Sequence, residues 1–303
     1  MPTVLIAGGT GLVGKALQRA LKAKGFEATL LSREPANIRK GIFNWNPSKQ
    51  AAEAEPFHQA DFIVNLAGAS IGGKRWTKSY KHEILQSRLD ATRTIGKMLQ
   101  GNHNVKAIVQ ASAFGYYSDG HGKLLTEESP AGNDFLADVC VKWEAAAHDL
   151  NGLVDRVVVL RFGHVLSRDE GLLPELMKPM KFGAMPIFGN GKQHIPWIHE
   201  DDLAAMILFA LQNENVNGTY NACSPSRSTL LGLLQAIANA MKRKPIKLHL
   251  PKVLIQLGVG EIAESFYYDV MLSSEKIQRE GFVFDYSDIT ATLEAILGKK
   301  QRC

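Results

Sequence analysis

The stretch Val4-Leu5-Ile6-Ala7-Gly8-Gly9-Thr10-Gly11-Leu12-Val13-Gly14 decides the fold. A short apolar run predicts a buried strand, and Val13–Lys24 then follows with the spacing of an amphipathic helix. Between them, Gly8 permits a tight turn, Gly11 lets a ligand approach the backbone, and Gly14 lets helix and strand pack closely. Because a helix N-terminus offers free N–H groups and a positive dipole end, we expect this turn to bind the pyrophosphate of a dinucleotide.

The first two-thirds of the 303-residue chain alternates apolar runs with helical patterns. Further strands are predicted at Ala28–Leu31, Ile42–Trp45, Phe62–Leu66, Ala107–Ala111 and Val157–Leu160, and helices at about 79–100, about 134–149 and Asp201–Gln212. Apolar strands separated by amphipathic helices are typical of a parallel sheet covered on both faces. With right-handed crossovers, the sequence predicts an α/β fold, a Rossmann-type doubly wound parallel sheet.

The pattern changes in the last third of the chain. The stretch 172–191 is rich in Gly, Pro and Met, and from Ser224 onward helices alternate with short extended pieces such as Ile246–Leu250 and Phe282–Phe284. We therefore predict a dinucleotide-binding Rossmann domain over residues 1–223. A smaller C-terminal domain over 224–303 would close over the substrate, with residues 166–195 contributing to it.

Composition argues against two classes of partner. The 35 basic and 30 acidic residues give a formal net charge of +5, scattered apart from short clusters such as Lys242–Lys244 and Lys299–Lys300. We therefore expect no nucleic-acid partner. No apolar run approaches the length of a membrane span, and Met1-Pro2-Thr3 leads into a strand without the features of a signal peptide. The expectation is a cytoplasmic protein with a small-molecule substrate and no membrane partner; its oligomeric state stays open.

The three cysteines, Cys140, Cys223 and Cys303, lie far apart in the sequence. Their number is odd and their spacing does not match a zinc site, so reduced thiols and no metal site are predicted.

The end of the second strand carries information about the cofactor. NAD sites usually place an acidic residue here, whereas this chain reads Leu31-Ser32-Arg33 before Glu34. A guanidinium at Arg33 can pair with a 2′-phosphate, and Ser32 can add a hydrogen bond. The sequence therefore favours NADP(H) over NAD, with Arg33 as an ordinary surface residue the alternative.

A second segment suited to the cofactor is Asn65-Leu66-Ala67-Gly68, at the carboxyl end of a later strand. Ligands of doubly wound sheets bind outside these strand ends, and the small Ala67 and Gly68 would let a dinucleotide pass close to the backbone.

Together these motifs resemble the extended short-chain dehydrogenase/reductase superfamily, and more narrowly its atypical "epimerase family" branch. The superfamily features are Gly8–Gly14, Asn65–Gly68 and Trp197–Asp202; the branch features are Ser32-Arg33, Ser87-Arg88-Leu89, Ser112–Tyr117, Asp134-Phe135, Lys142-Trp143-Glu144, Phe188–Gly191 and the segment from Gly258 to Phe282. The resemblance covers essentially the whole chain. It implies an NADP(H)-binding Rossmann domain with a small C-terminal domain that closes over the cofactor.

The resemblance also implies a catalytic Ser or Thr, and a Tyr followed four residues later by a Lys that lowers its pKa. When Glu144 is aligned with the acidic residue after that pair, Leu136 takes the Tyr position and Cys140 the Lys position. When Tyr117 is aligned with the Tyr of the usual Val-Tyr-Gly turn, Ala113 takes the Ser/Thr position. Because Leu136 cannot move a proton and Cys140 has no fixed positive charge, the usual pair is absent.

Other residues are candidates for the missing chemistry. Ser112, Tyr116 and Tyr117 are catalytic candidates, with packing as the alternative role for the two tyrosines. Arg88 matches the place of an active-site Asn in the superfamily and could pair with a cofactor phosphate or a substrate anion; a structural ion pair is the alternative.

Three residues are candidates for substrate contact. Trp76 lies in a loop where a lid would be found, while Trp197 and His199 begin the segment that returns to the main domain. A structural role is the alternative for His199.

The complete set predicted to bind the cofactor is Gly8, Thr10, Gly11, Leu12, Val13, Gly14, Ser32, Arg33, Leu66, Ala67, Gly68, Arg88 and Ser112.

The sequence thus predicts an NADP(H)-binding oxidoreductase or epimerase-like enzyme for a small polar metabolite, working without the usual Tyr–Lys pair. The alternative is a non-catalytic NADP(H)-binding sensor or scaffold protein.

Overall fold

The computed structural model describes residues 1–298. The strands are β1 Thr3–Ala7, β2 Glu27–Ser32, β3 Ile42–Asn46, β4 Ala51–Ala52, β5 Phe62–Asn65, β6 Ala107–Ala113, β7 Leu124–Leu125, β8 Arg156–Phe162, β9 His164–Leu166, β10 Ala184–Phe188, β11 Trp197–His199, β12 Gly218–Ala222, β13 Ile246–Leu250 and β14 Met271–Leu272. The α-helices are α1 Leu12–Ala23, α2 Glu55–Gln59, α3 Lys78–Met98, α4 Phe135–His148, α5 Leu172–Lys181, α6 Glu200–Gln212, α7 Leu230–Ala240, α8 Lys252–Val259, α9 Glu275–Arg279 and α10 Ile289–Gly298.

An eight-stranded sheet forms the centre of the molecule, in the order β12-β8-β6-β5-β1-β2-β3-β4. Its pairs are parallel except for the short antiparallel pair β3–β4. Alternate residues of β1 enter two separate cores: Val4 and Ile6 pack with α1 and α6, whereas Leu5 and Ala7 pack with α3 and α4. These features confirm the predicted doubly wound sheet. Its order reverses between β1 and β5, which is where ligands bind in such folds.

The six predicted strands of the sheet are all present, but two were missed. The edge strand β12 has the sequence Gly-Thr-Tyr-Asn-Ala, which lacks a continuous apolar run. Its buried Asn221 is stabilised by hydrogen bonds to distant residues, and this tertiary support cannot be read from a local pattern. The two-residue β4 is too short to give a periodic signal.

The C-terminal part has its own core, formed by α5, β10, α7 and α10. In it, β10 pairs in parallel with β13, so the segment 166–195 contacts the region after residue 224. The domain boundary at 223 stays a prediction. The piece Phe282–Phe284 forms no strand; instead Phe282 packs against Phe209 of the main core, with 5.6 Å between ring centroids.

Cys140 and Cys223 are buried free thiols, and Cys303 and Lys299–Lys300 lie outside the described residues. Between residues 1 and 298, three or more His, Cys, Asp or Glu side chains nowhere cluster as metal ligands would. A helix long and apolar enough to cross a bilayer is absent from the same range.

Candidate functional site

The glycine turn lies at the reversal point of the sheet. Gly8 has a φ of +83°, and a Cβ there would lie 2.8 Å from the carbonyl carbon of Leu66. A Cβ on Gly14 would lie 2.5 Å from Cα of Gly9. Only glycine fits these two positions, because a side chain would force apart β1, β5 and α1. The turn after β1 and the turn after β5 are therefore in direct contact.

Gly11 differs from the other two glycines because the space beside it is open. A Cβ there would meet only the carbonyl oxygen of Gly8, at 3.6 Å. Gly11 is also the N-cap of α1 and offers no side-chain cap to the first-turn N–H groups. Thr10 is exposed, and Leu12 and Val13 are half-buried on the same turn. Uncapped N–H groups that face open space fit a pyrophosphate.

Ser32 and Arg33 end β2 next to this turn. The Ser32 Oγ accepts a hydrogen bond from the Glu34 backbone N–H at 3.1 Å, and its own proton remains free to donate. Arg33 is exposed, and its guanidinium forms no ion pair with any residue in 1–298. Both side chains are therefore available to a ligand.

A buried amide holds the turn after β5 in place. Asn65 donates to Oε1 of Gln110 at 2.9 Å and to Thr92 at 3.2 Å, while its Oδ1 accepts from the Ala67 N–H at 3.2 Å. The turn Leu66–Gly68 therefore has a defined shape before any ligand binds.

Arg88 of α3 lies beneath this turn. Its side chain is 8% exposed, and Nη1 donates to the carbonyl oxygens of Ala69 at 3.0 Å and Ile84 at 2.8 Å. A Cβ on Gly68 would lie 3.0 Å from Cζ of Arg88, and the guanidinium lies 4.9 Å from the ring centroid of Trp143. The structural ion pair considered from the sequence does not form among the described residues.

Ser112, at the end of β6, belongs to a buried ionic network. Its hydroxyl donates to Oε1 of Glu144 at 2.5 Å. Arg161 of β8 binds the same carboxylate with two hydrogen bonds, Nε to Oε1 at 2.9 Å and Nη2 to Oε2 at 2.8 Å. All three side chains are buried. This pairing occupies the hydroxyl that the sequence offers as a catalytic group.

Tyr117 and Tyr116 belong to the same network. Nη1 of Arg161 donates to the Tyr117 hydroxyl at 2.7 Å, and that hydroxyl donates to Oδ1 of Asn221 at 2.7 Å. The Arg161 guanidinium also lies over the Tyr116 ring, 3.4 Å from its centroid. Burial raises the pKa of Tyr117 well above its ordinary value. The structure thus gives Ser112, Tyr116 and Tyr117 packing and hydrogen-bonding roles, and does not support the proton-transfer roles considered from the sequence.

Leu136 and Cys140 lie side by side on α4, against Gly115. A Cβ on Gly115 would lie 3.2 Å from Leu136 Cβ and 3.9 Å from Cys140 Sγ. Burial raises the pKa of the Cys140 thiol to about 12, although the nearby Arg88 charge opposes this rise. Cys140 is therefore a neutral thiol at physiological pH.

A cleft of about 330 Å³ lies beside Leu136. It is lined by Trp76, Lys81, Asp134, Phe135, Leu136, Glu261, Glu264, Ser265 and Tyr268. The Lys81 ammonium pairs with Glu261 of the C-terminal part and lies 5.1 Å from the ring centroid of Phe135. Trp76 packs edge-on against Phe135 at 5.1 Å. Trp76 therefore lies in a cleft, as its predicted role in substrate contact requires.

Tyr268 enters this cleft from a distant part of the sequence. Burial raises the pKa of its hydroxyl, and the neighbouring Asp134 carboxylate adds to the rise. Tyr268 therefore stays protonated and can donate a hydrogen bond. Its sequence position, outside the Rossmann core, gave no sign of this placement, which depends on how the C-terminal part packs on α4.

Trp197 and His199 lie outside the lining of this cleft. Trp197 is fully buried and donates to Oγ of Ser228 at 3.1 Å. His199 caps α6 by accepting from the Asp201 N–H at 3.0 Å, and its ring stacks on Tyr286 at 3.7 Å. The structure therefore does not support the substrate contacts considered for these two residues.

His164 is a half-buried imidazole that the sequence did not single out. It follows β8 at the carboxyl edge of the sheet, and its ring lies 4.6 Å from that of Phe114. Burial lowers its pKa to about 4, so the ring is neutral at physiological pH. Its position after a buried strand is the one signal that could have identified it.

Comparisons with known proteins agree with this fold. The model of the family described as "NAD dependent epimerase/dehydratase family" matches residues 4–223. An epimerase family protein of Mycobacterium leprae is 30% identical over 292 residues, which cover 96% of this chain and 94% of that protein. The mouse epimerase family protein SDR39U1 is 31% identical, over 97% of this chain and 99% of its own.

Two solved structures also resemble this chain. The crystal structure of human epimerase family protein SDR39U1 with NADPH has a TM-score of 0.90 and 31% identity, covering 98% of this chain and 100% of that chain. UDP-glucose 4-epimerase of Thermus thermophilus, solved with NAD, has 18% identity and a TM-score of 0.75; it covers 98% of this chain and 99% of its own, and shows the fold alone. This chain therefore belongs to the NAD dependent epimerase/dehydratase family, within the extended short-chain dehydrogenase/reductase superfamily that its motifs predict.

Proposed function

We propose that this protein is an NADP(H)-dependent oxidoreductase or epimerase-like enzyme that acts on a small polar metabolite without the usual Tyr–Lys pair. The observation that carries the proposal is a path of neighbouring residues from the glycine turn to the cleft. Gly8 contacts the turn Leu66–Gly68, and Gly68 packs against Arg88. Arg88 lies near Cys140, which shares the Gly115 contact with Leu136, a residue that lines the cleft. A dinucleotide along this path would bring its nicotinamide towards the cleft.

We propose the phosphorylated cofactor because of the groups at the end of β2. Arg33 and Ser32 are free to bind a 2′-phosphate, and a charge-assisted pair with a phosphate is stronger than a neutral hydrogen bond. The structure of the human relative was solved with NADPH, which is consistent with this choice. The pyrophosphate would lie on Gly8–Gly14, with Thr10, Leu12 and Val13 along the same turn.

The cleft suits a small substrate with polar groups. A volume of about 330 Å³ lies at the lower end of the range for ligand pockets. Its lining combines aromatic walls with polar groups: the Lys81 ammonium, which is paired with Glu261, the Asp134 and Glu264 carboxylates, and the Tyr268 hydroxyl. Bound NADPH would supply a hydride. The chain itself would orient the substrate between Trp76 and Phe135, and Tyr268 would polarise a substrate oxygen by donating a hydrogen bond.

Turnover tests the proposal directly. NADPH is mixed with the protein and a panel of small carbonyl compounds and sugar nucleotides, and loss of the reduced-nicotinamide absorbance is followed. We expect protein-dependent oxidation with at least one class of substrate. If the protein binds NADPH normally but oxidises it with no class of substrate, the enzymatic proposal is overturned.

A second candidate, an NADP(H) sensor, is favoured by one observation. Leu136 and Cys140 leave the usual catalytic positions without a proton-transfer group. In addition, two contacts link the two sides of the cleft: the Lys81–Glu261 ion pair and the hydrogen bond from Arg75 to the Leu257 carbonyl. Cofactor binding could change these contacts and the surface beside them. A partner captured only with NADPH present, from a protein without turnover, would favour the sensor over the enzyme.

A further inference from the structure

Arg88 is a buried cation with unused hydrogen-bond donors. Its Nη1 donates to the carbonyl oxygens of Ala69 and Ile84. Nε is buried and has no acceptor, and Nη2 donates to no atom of residues 1–298. No carboxylate of residues 1–298 reaches the guanidinium; its electrostatic neighbours are the Cys140 thiol and the Tyr80 hydroxyl.

A structural role does not account for this arrangement. Taking an unpaired charge out of water costs several kcal/mol, and two backbone carbonyls do not neutralise it. A methionine or leucine would fill the same space under Gly68 without that cost. The unused donors and the positive charge suit a ligand that brings acceptor oxygens and negative charge.

The position of Arg88 identifies which part of a ligand arrives there. Gly8 is in contact with Leu66, so the turn Leu66–Gly68 is the next surface after the pyrophosphate site. Arg88 packs directly against Gly68, and its charge acts on Cys140, which lies beside Leu136 in the lining of the cleft. The guanidinium therefore lies between the glycine turn and the cleft, on the course that the nicotinamide half of the proposed dinucleotide would take.

We propose that Arg88 binds the nicotinamide half of NADP(H), donating to its ribose and phosphate oxygens. Cys140 on α4 stands at the position where the superfamily has a Lys and carries no positive charge. Arg88 supplies that charge from α3 instead. Trp143 is a positioning residue in this arrangement, because its indole ring covers the guanidinium at 4.9 Å and holds its plane. The proposal rests on the proposed NADP(H) binding and assigns a new task within it.

The test separates the two halves of the cofactor. Dissociation constants are measured by calorimetry for NADPH and for 2′,5′-ADP, which contains the adenine half alone. We expect Arg88→Met to weaken NADPH binding about 10- to 100-fold, the worth of one or more charge-assisted hydrogen bonds, and to leave 2′,5′-ADP binding unchanged. Arg33→Ala serves as the matched variant and should weaken both ligands alike.

Controls separate binding from folding. The melting temperature of each variant is measured without ligand, and the ligand-induced shift is compared with that variant's own baseline. Arg88→Lys should retain part of the affinity for NADPH. The double variant Arg88→Met/Cys140→Lys returns a cation to the same space from α4 and should recover part of the lost affinity.

Three outcomes would overturn the proposal. Arg88→Met could weaken both ligands equally, which would indicate a structural role. It could leave NADPH binding unchanged. It could also leave NADPH binding unchanged but raise the KM of a substrate, which would indicate that the guanidinium binds a substrate anion. If the wild-type protein binds neither NADPH nor 2′,5′-ADP, the proposed function itself fails, and this result is distinct from the other three.

Discussion

The Ser112 hydroxyl donates to the Glu144 carboxylate at 2.5 Å, and both groups are buried. Arg161 holds the other edge of that carboxylate and also binds Tyr117. Next to the position where the superfamily carries a catalytic hydroxyl, this chain therefore has an ionic network that joins β6, β8, β12 and α4. The hydrogen bonds of Ser112 and Tyr117 at the end of β6 therefore join several elements of the fold.

Glu144→Gln should lower the free energy of unfolding by about 3 kcal/mol or more, because it leaves the buried Arg161 charge uncompensated. Urea denaturation measures the loss. Lys142→Ala is the matched control on the same helix, since the Lys142–Asp138 pair is exposed and should contribute less than about 1 kcal/mol. Similar losses for the two variants would contradict the buried network.

Gly11→Ala and Gly14→Ala should have opposite consequences. A Cβ at Gly14 collides with Gly9 at 2.5 Å, so this variant should lose about 1–3 kcal/mol of stability. A Cβ at Gly11 has room in the protein, so stability should change by less than about 1 kcal/mol. The same Cβ would occupy the phosphate space, so NADPH binding should weaken at least tenfold.

Thermal melting and calorimetry separate these effects. Gly101→Ala is the control, because its Cβ would meet only the Met98 carbonyl oxygen, at 3.8 Å, far from the turn. Normal NADPH binding by Gly11→Ala would show that the pyrophosphate does not lie on this turn.

The turn and the sheet could be predicted from the sequence because their signals are local. Gly8, Gly11 and Gly14 stand at fixed offsets after an apolar strand, and each offset has its own steric reason. The roles of Ser112 and Tyr117 could not be predicted, since Arg161 reaches Tyr117 and the Glu144 carboxylate that Ser112 binds only after β6 and β8 pair. Tyr268 likewise enters the cleft only when the C-terminal part packs on α4. Local patterns contain no information about such tertiary contacts.

His164 should make stability depend on pH. Burial lowers its folded-state pKa to about 4, below the ordinary value of 6.5. The neutral ring is therefore favoured in the folded protein, and stability falls as the pH drops from about 6.5 towards 4. Wild type should lose about 2 kcal/mol more than His164→Asn between pH 7 and pH 5. Urea denaturation at the two pH values measures this difference, and equal losses would contradict a lowered pKa for His164.

Tyr268→Phe should lower turnover while leaving NADPH affinity unchanged. The change removes the hydroxyl that we propose polarises the substrate, and losing such a donor costs about 10²–10³ in kcat. Tyr267→Phe is the matched control, because its buried hydroxyl makes no hydrogen bond among residues 1–298. Steady-state kinetics on a substrate from the panel gives the comparison. Equal kcat values for Tyr268→Phe and wild type would exclude this role.

Arg33→Ala should remove the preference for the phosphorylated cofactor. Without the guanidinium, NADPH should bind about 10- to 100-fold more weakly, whereas NADH should be nearly unaffected. Arg39→Ala, at a second basic residue of the same loop, tests whether general positive charge suffices. A parallel loss in Arg39→Ala would indicate a diffuse electrostatic effect in place of a specific contact.

The most direct test of the whole account is a calorimetric titration of the wild-type protein with NADPH and with NADH. The account predicts one saturable site per chain and binding of NADPH at least tenfold tighter than NADH. Superimposable titration curves for the two nucleotides would contradict the choice of NADP(H). Titrations that show no saturable binding of either nucleotide would contradict the dinucleotide site itself.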